Sequence, residues 1–405
     1  MLMLALMTGL TAVITFVLTF FILRFSRKHR LYPKIRERDV HTRPTPRLGG
    51  IAMFIGILVA VTIASQISFF KVVFANPGPM LAIIGASALI VIVGVLDDFF
   101  DLDWTIKLAA QLIVALLVAW QGMQIVSLPI GGLIVGSPLM SMVITVLAIV
   151  LVMNAINFID GLDGLVAGVA IIANGVFLIY AYLLARLISP SNYFNTASLI
   201  AALLVGACLG FLPFNWHRAR LFMGDAGSML IGLLMAVSAI SVTGQIDPAA
   251  MGRSQVLPAF LPIVLPFAVL LLPLADFSLA VLRRLSAGKS PFSADRKHLH
   301  HRLLDMGHSH LHAVLIFYGW TAVVSVGFLL FFIVKPWWIP LLLMVLGAAL
   351  LGWLTLAPLS RRKRQEKRVQ QARVTTDTVE QRLLDPLDEA SEVFGEEDIP
   401  VAREE

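Results

Sequence analysis

The sequence predicts an all-α polytopic membrane protein with about eleven transmembrane helices. Hydrophobic residues make up 58% of the 405 residues and charged residues only 14%, so the chain is much more apolar than soluble proteins of its length. The apolar residues are concentrated in segments of roughly 17 to 25 residues, the length that crosses a hydrocarbon core of about 30 Å. These segments run at about 2–23, 48–70, 80–96, 105–121, 138–153, 164–185, 197–213, 226–244, 256–282, 311–334 and 336–358. Ten spans are the alternative, because the last two segments could merge.

The basic residues predict how the helices are oriented. Lys and Arg are concentrated after spans 1, 3, 7 and 9 and at the start of the C-terminal tail, and the loops on the other face hold few of them. Loops rich in Lys and Arg stay in the cytoplasm, so we expect the N-terminus outside and the C-terminus inside. The pI of 9.6 is then explained by topology and by contact with anionic lipids, and it indicates no nucleic-acid partner.

Composition also divides the chain. Residues 1–360 form the predicted membrane-embedded domain, and residues 361–405 form a charged cytoplasmic tail that we expect to be largely disordered. Between spans 4 and 5, a Gly-Gly turn between β-rich arms predicts a small outer-face hairpin near 125–136. Cys208 is the one cysteine and lies inside a span, which excludes an intrachain disulfide and a cysteine-based zinc site.

The stretch NAINFIDGLDG places two carboxamides and two carboxylates between two spans. The residues are Asn154, Asn157, Asp160 and Asp163. Charge at the mouth of a membrane bundle is costly and therefore indicates function. If the helix begins at Gly164, Asp160 and Asp163 lie at spacing i, i+3 near its N-terminus, where free N–H groups and the helix dipole bind anions. The group is more typical of a Mg²⁺ and phosphate site than of a packing contact.

A second acidic group follows the third span and precedes Lys107. It consists of Asp97, Asp98, Asp101 and Asp103. Carboxylates this close repel one another, so a cation must lie among them. A divalent ion would neutralise the group, and Lys107 is placed to neutralise one acid or a phosphate. For Asp101 and Asp103 a solvated acidic turn is the alternative, whereas Asp97 and Asp98 adjoin the apolar span.

Two further loops on the same face carry candidate ligands. Before span 8, glycines flank Asp225 in the sequence MGDAGS, so a ligand can approach the backbone and a carboxylate at a helix N-terminus. That pattern alone is a weak signal. Between spans 9 and 10, His298, His300, His301 and Arg302 lie among other basic residues. A zinc site is one interpretation of this loop, and a basic clamp for a diphosphate fits the arginines better.

Five motifs together resemble one enzyme family. They are PTPRLGG, VLDDFFDLDWTIKLAAQ, NAINFIDGLDGL, FNWHRARLFMGDAGS and KSPFSADRKHLHHR, in this order over about residues 40–310. The combination is similar to the polyprenyl-phosphate N-acetylhexosamine-1-phosphate transferases, and its HLHH form is most similar to their UDP-N-acetylglucosamine branch. The resemblance implies transfer of N-acetylglucosamine-1-phosphate from UDP-N-acetylglucosamine to a polyprenyl phosphate. UMP would be released, with Mg²⁺ as cofactor or Mn²⁺ in its place.

The resemblance also implies a role for each motif residue. Asp225 and Asn157 would hold the metal. Asp97 and Asp98 would position or deprotonate the lipid phosphate in a direct attack, and Asp160 would be the nucleophile of a competing covalent scheme. Lys107 would contact phosphate, Asn154 the substrate, Asp163, Asn215 and Phe222 the uridine, and His298, His300, His301 and Arg302 the sugar and diphosphate.

The implied setting is a bacterial plasma membrane, with the active site on the cytoplasmic face, at the first membrane step of a cell-envelope glycan pathway. The implied partners are UDP-N-acetylglucosamine, a polyprenyl phosphate and the bilayer, and a homodimer is an open option.

Three other functions share part of the pattern. The nearest is transfer from another UDP-N-acetylhexosamine, as in phospho-N-acetylmuramoyl-pentapeptide transferase. A CDP-alcohol phosphatidyltransferase shares the first half of its signature with Asp160–Ala167 but requires an arginine where Gly168 stands. An ion-coupled transporter would also have many spans, but its charged groups would lie near the bilayer midplane.

Overall fold

The computed structural model describes residues 1–32, 45–125, 137–188, 192–243 and 303–357, with a few positions between 278 and 288. Most of these residues belong to one compact unit, Met1–Gly352, and the contacts below lie within it. Within the described ranges the chain is helical and no strand occurs. The helices are α1 (Leu2–Lys28), α2 (Gly49–Gln66), α3 (Lys71–Phe74), α4 (Pro77–Phe100), α5 (Trp104–Trp120), α6 (Pro138–Ile159), α7 (Leu165–Ile188), α8 (Asn192–Asn215), α9 (Gly224–Thr243), α10 (His310–Ile333) and α11 (Trp338–Ala357).

These helices confirm the predicted all-α polytopic class. In the described part of the chain, nine helices are long and apolar enough to cross a membrane, and α5 is an apolar helix of 17 residues. Together they coincide with ten of the eleven predicted segments. The segment 256–282, the tail 361–405 and nearly all of the hairpin near 125–136 lie outside the described residues. The count of eleven spans and the orientation stay predictions.

Two helices continue beyond the apolar segments that predicted them. α4 ends at Phe100 and α6 ends at Ile159, four and six residues later than expected. The hydrogen bonds of a helix join backbone groups, so the helix does not stop where apolar composition stops. The polar side chains of Asp97, Asp98, Asn154 and Asn157 therefore lie on the last turns of helices.

α8 and α9 form the centre of the bundle. Of their membrane-spanning windows, 83% and 89% of the residues are buried. α8 packs against α1 and α7, and α9 packs against α4 and α6. The first turn of α9 is therefore surrounded by other helices, and its side chains can meet polar groups from several of them.

α1 and α8 approach closely because glycines of α8 face the backbone of α1. A Cβ atom on Gly206 would collide with the carbonyl oxygen of Thr8, and one on Gly210 with that of Ala12. The Thr8 hydroxyl also donates a hydrogen bond of 3.1 Å to the carbonyl of Ala202. Small residues at such contacts allow the close packing that holds membrane helices together.

We expect Gly210→Ala to lower the apparent melting temperature of the purified protein in detergent. The added methyl group would push α8 away from a backbone atom of α1, and overpacking of this kind costs about 1–3 kcal/mol. Gly175→Ala in α7 is the matched control, because a Cβ atom there meets nothing within 4 Å. Equal melting temperatures for the two variants would contradict close packing of α1 on α8.

Candidate active site

A lysine and two carboxylates from three helices meet at one end of the bundle. The Lys107 Nζ, on the first turn of α5, lies 3.1 Å from Asp97 Oδ2 and 3.6 Å from Asp225 Oδ2. Asp97 is on the last turn of α4, and Asp225 is on the first turn of α9. The Asp97 and Asp225 side chains also interact with each other. One ammonium group thus holds two carboxylates that would otherwise repel.

The three charged side chains differ in their access to solvent. Asp97 is fully buried, whereas the side chains of Lys107 and Asp225 are each 23% exposed. Asp97 Oδ1 also accepts a hydrogen bond of 2.9 Å from the Leu102 backbone N–H. Asp97 is therefore held on both carboxylate oxygens, and Asp225 is the more accessible of the two acids.

Asn157 holds the second carboxylate oxygen of Asp225 and also contacts Ser228. The Asn157 Nδ2 donates to Asp225 Oδ1 at 3.1 Å and to Ser228 Oγ at 2.8 Å. Asn157 is near the C-terminal end of α6, so a fourth helix joins the cluster. In this arrangement Asn157 orients Asp225 through its amide N–H, and its role as a metal ligand stays a prediction.

The four acids of the DDFFDLD motif divide into two buried and two exposed residues. Asp98 is buried, and its Oδ2 lies where a Cβ atom on Gly224 would fall, at the start of α9. Asp101 ends α4 in a left-handed conformation. Asp103 caps α5, accepting hydrogen bonds from the Thr105 hydroxyl and backbone N–H, which hold the pKa of its carboxyl below the ordinary value. The solvated-turn interpretation of Asp101 and Asp103 therefore agrees with the structure.

Backbone contacts place the start of α9. Phe222 N–H donates to the Pro46 carbonyl, and Gly49 N–H donates back to the Phe222 carbonyl at 3.0 Å. Cβ atoms on Gly50 and Gly94 would collide with backbone atoms of the first turn of α9. The PTPRLGG and MGDAGS motifs therefore contact each other directly. Whether the Phe222 ring stacks on uracil stays a prediction.

The DGLDG turn differs from the helical arrangement expected for its two acids. α6 ends at Ile159 with Asp160 as its C-cap, and Gly164 has a positive φ of 74° before α7 begins. Both acids therefore lie in a turn, and the i, i+3 helical spacing does not apply to them. Asp160 is half-exposed beside the last turn of α6, and Asp163 is buried.

Side chains of α8 and α10 hold this turn in place. Asn215 Oδ1 accepts from Gly164 N–H at 3.0 Å, and its Nδ2 donates to the Leu221 carbonyl at 3.1 Å. Tyr318 donates its hydroxyl hydrogen to the Gly164 carbonyl. The backbone N–H and the carbonyl of Gly164 are thus both hydrogen-bonded, to side chains of two helices that are distant in sequence.

Asp163 is the second acid of the turn. Its Oδ2 accepts from the Ala219 backbone N–H at 3.1 Å and lies 3.5 Å from His217 Nδ1. These contacts join the DGLDG turn to the loop between α8 and α9. Asp163 and Asn215 both organise loops in this structure, and their predicted contacts with uridine stay untested.

Asn154 lies one turn deeper than Asn157, away from the lysine cluster. Its Nδ2 donates to Gln111 Oε1 at 2.7 Å, and the Gln111 amide in turn contacts the sulfur of Met229 at 3.5 Å. The structure therefore assigns Asn154 a contact between α6 and α5, and substrate binding by Asn154 stays a prediction.

The structure brings together part of the predicted site, and it adds polar residues that were not predicted. The predicted residues that converge are Asp97, Lys107, Asn157 and Asp225, with Asp98 against the same helix start. His298, His300, His301 and Arg302 lie outside the described residues. The additional polar residues are Gln111, His217, Ser228 and Tyr318. Gln111 and Tyr318 are polar positions inside apolar segments, which was the signal available for them.

The oxygen atoms of this cluster suit a hard cation only in part. Among the residues that the structure describes, no group of three or more His, Cys, Asp or Glu side chains is arranged to hold a metal. Mg²⁺ is commonly held by one or two carboxylates together with substrate phosphates. Asp225 and Asp97 fit that smaller requirement.

The fold and the site define a polytopic membrane protein with a carboxylate and lysine centre at the ends of its helices, and comparisons with known proteins define its family. The model of glycosyl transferase family 4 matches residues 80–243. A decaprenyl-phosphate N-acetylglucosaminephosphotransferase of Mycolicibacterium smegmatis is 40% identical over 326 residues, which cover 79% of this chain and 80% of the relative. An undecaprenyl-phosphate alpha-N-acetylglucosaminyl 1-phosphate transferase of Yersinia pestis is 30% identical over 79% of this chain and 82% of the relative.

A third relative, a phospho-N-acetylmuramoyl-pentapeptide-transferase of Halalkalibacterium halodurans, is 30% identical over 58% of this chain and 74% of the relative. The chain belongs to glycosyl transferase family 4. The resemblance to the polyprenyl-phosphate N-acetylhexosamine-1-phosphate transferases is thereby confirmed.

We expect Tyr318→Phe to lower both the melting temperature and the rate of turnover, because the Gly164 carbonyl would lose its hydrogen-bond donor. Loss of such a bond costs about 1 kcal/mol and would loosen the turn that carries Asp160 and Asp163. Tyr180→Phe is the matched control, because the buried Tyr180 hydroxyl has no hydrogen-bond partner among the described residues. Thermal unfolding and initial rates measure both variants, and similar values for the two would contradict a supporting role for Tyr318.

Proposed function

We propose that this chain transfers N-acetylglucosamine-1-phosphate from UDP-N-acetylglucosamine to a polyprenyl phosphate and releases UMP. The observation that carries the proposal is the contact of Lys107 with Asp97 and Asp225, at helix ends that two of the five motifs supply. The named relatives support the choice of sugar and of acceptor, since two of them are named for a polyprenyl phosphate and N-acetylglucosamine.

The chemistry of the cluster agrees with this reaction. Phosphoryl transfer depends mainly on positioning the reactants and neutralising their charge. The donor diphosphate and the acceptor phosphate are anionic, and Lys107 offers a partly exposed ammonium group to them. Asp97 or Asp98 would accept the proton of the lipid phosphate, which would then attack the β-phosphorus of the donor directly. A covalent intermediate on Asp160 is the competing scheme.

We further propose that Mg²⁺, or Mn²⁺ in its place, completes the site. Asp225 would hold the cation, and the phosphates of the donor would supply further oxygen ligands. The bound cation would neutralise charge on the diphosphate. Asn157 would keep Asp225 in place through the 3.1 Å hydrogen bond, or would turn its carbonyl oxygen to the cation.

The position of the cluster supports a reaction at the membrane surface. Asp97 lies three residues before the end of α4, and Asp225 is the second residue of α9. A lipid phosphate held in the bilayer and a water-soluble nucleotide sugar can both reach such a place. Transport sites of ion-coupled carriers lie near the midplane instead. We propose that this surface is the cytoplasmic face of a bacterial plasma membrane, in keeping with the distribution of Lys and Arg.

We expect Asp97→Asn to lower UMP release from UDP-N-acetylglucosamine by about 100-fold or more, since loss of a general base typically has that effect. The asparagine can keep the hydrogen bond from Leu102, so the melting temperature should change little. Asp103→Ser is the matched control from the same acidic motif, because serine also caps helices and the exposed Asp103 carboxyl accepts hydrogen bonds from Thr105 at the start of α5. Near-normal turnover by Asp97→Asn would remove Asp97 from the reaction.

We expect UMP release to require the donor, a polyprenyl phosphate and Mg²⁺ together, and chelation with EDTA to abolish it. A panel of UDP-N-acetylglucosamine, UDP-N-acetylgalactosamine and UDP-N-acetylmuramoyl-pentapeptide identifies the donor, and we expect the first to react. Release of UMP without the lipid, or phospho-sugar retained on the protein, would contradict direct attack and favour the covalent scheme.

A further inference from the structure

The contact of Lys107 with two carboxylates has a consequence for how a divalent cation enters the site. Lys107 Nζ occupies a position within 3.6 Å of carboxylate oxygens of both Asp97 and Asp225. The proposed function assigns Asp225 to the metal, and Asp97 is bound to the same ammonium group. The ammonium group and a divalent cation therefore compete for the same carboxylates.

The two cations are not compatible at short range. A divalent cation binds carboxylate oxygen at about 2 Å. If Lys107 kept its present contacts, its ammonium group would lie a few ångströms from that cation, and positive charges at this distance in partly buried surroundings repel strongly. The Lys107 side chain is 23% exposed and has a flexible four-carbon stem, so it can leave the carboxylates without a backbone change.

We propose that Lys107 is a resident counter-ion, which offsets part of the negative charge of Asp97 and Asp225 in the substrate-free protein and leaves them when a divalent cation binds. This inference rests on the proposed function, because it takes Asp225 as a metal ligand. The displaced ammonium group is then available to a substrate phosphate. An anionic substrate that engages Lys107 would thereby strengthen metal binding, and the metal would strengthen substrate binding by the same factor.

The resident counter-ion also explains why the acidic cluster is stable without a metal. Asp97 is fully buried, and a buried carboxylate without a compensating charge is strongly destabilising. Asn157 and the Leu102 N–H donate hydrogen bonds to the two carboxylates but bring no positive charge. In the part of the chain that the structure describes, Lys107 brings a positive charge into contact with both carboxylates.

The test is Mn²⁺ binding by the purified full-length protein without any substrate, measured from the electron paramagnetic resonance signal of free Mn²⁺ at mildly alkaline pH. Lys107→Met keeps the aliphatic stem and removes the charge, so we expect it to bind Mn²⁺ at least about tenfold more tightly than the wild type. Lys107→Arg keeps the charge and should bind close to the wild type. Lys335→Met, an exposed position after α10, should also leave the affinity unchanged.

A second readout is thermal stability. With EDTA present, Lys107→Met should melt below the wild type, and saturating Mn²⁺ should close that difference. An additional Asp225→Asn substitution should remove the tight Mn²⁺ binding of Lys107→Met, which locates the ion at this cluster. Unchanged or weaker Mn²⁺ binding by Lys107→Met, or absence of binding by both proteins, overturns the inference.

These results are separable from those for the proposed function. Mg²⁺-dependent release of UMP by the wild type, with no gain in Mn²⁺ affinity in Lys107→Met, would leave the function standing and remove the counter-ion role. If Lys107→Met gains Mn²⁺ affinity as expected but the wild type releases no UMP from any donor, the counter-ion role stands and the proposed function is removed.

Discussion

Neutralisation of buried charge is the constraint on which this structure depends. A carboxylate at the edge of an apolar bundle is stable only when a cation or several hydrogen-bond donors compensate it. Lys107 supplies that compensation to Asp97 and Asp225, which come from two other helices. Because α4, α5 and α9 each contribute one charge, their ends must lie at the same level. The contact among these three charges therefore fixes both the positions of the reactive groups and the packing of the helix ends.

The frame around these charges is built largely from backbone contacts. Gly50 and Gly94 allow α2 and α4 to touch the first turn of α9, and the Pro46 and Phe222 backbones are joined by a hydrogen bond. Asn215 and Tyr318 hold the peptide groups of Gly164. Because these contacts fix backbone atoms, the side chains of the neighbouring residues can change position only little. Such a frame suits phosphoryl transfer, where much of the catalysis comes from positioning.

Much of the candidate site was predictable from the sequence, because its motifs are local. Asp97, Lys107, Asn157 and Asp225 were identified as chemical groups at span ends, and the structure brings them together. The roles of other motif residues were less accessible. Asp163 and Asn215 were predicted to contact substrate, and in this structure they hold loops through the Ala219 and Gly164 backbones. A motif shows which residue types recur together, but it does not distinguish a residue that touches substrate from one that supports its neighbour.

The sequence by itself determined the class of fold and the family, since the length of an apolar segment and the order of motifs are properties of consecutive residues. Only the tertiary structure decided which acids share Lys107, and that Asn154 pairs with Gln111 rather than joining the cluster. The physical reason is that these contacts join helices distant along the chain. Their partners depend on how far each helix extends and which face it turns to its neighbours, and packing of the whole bundle sets both.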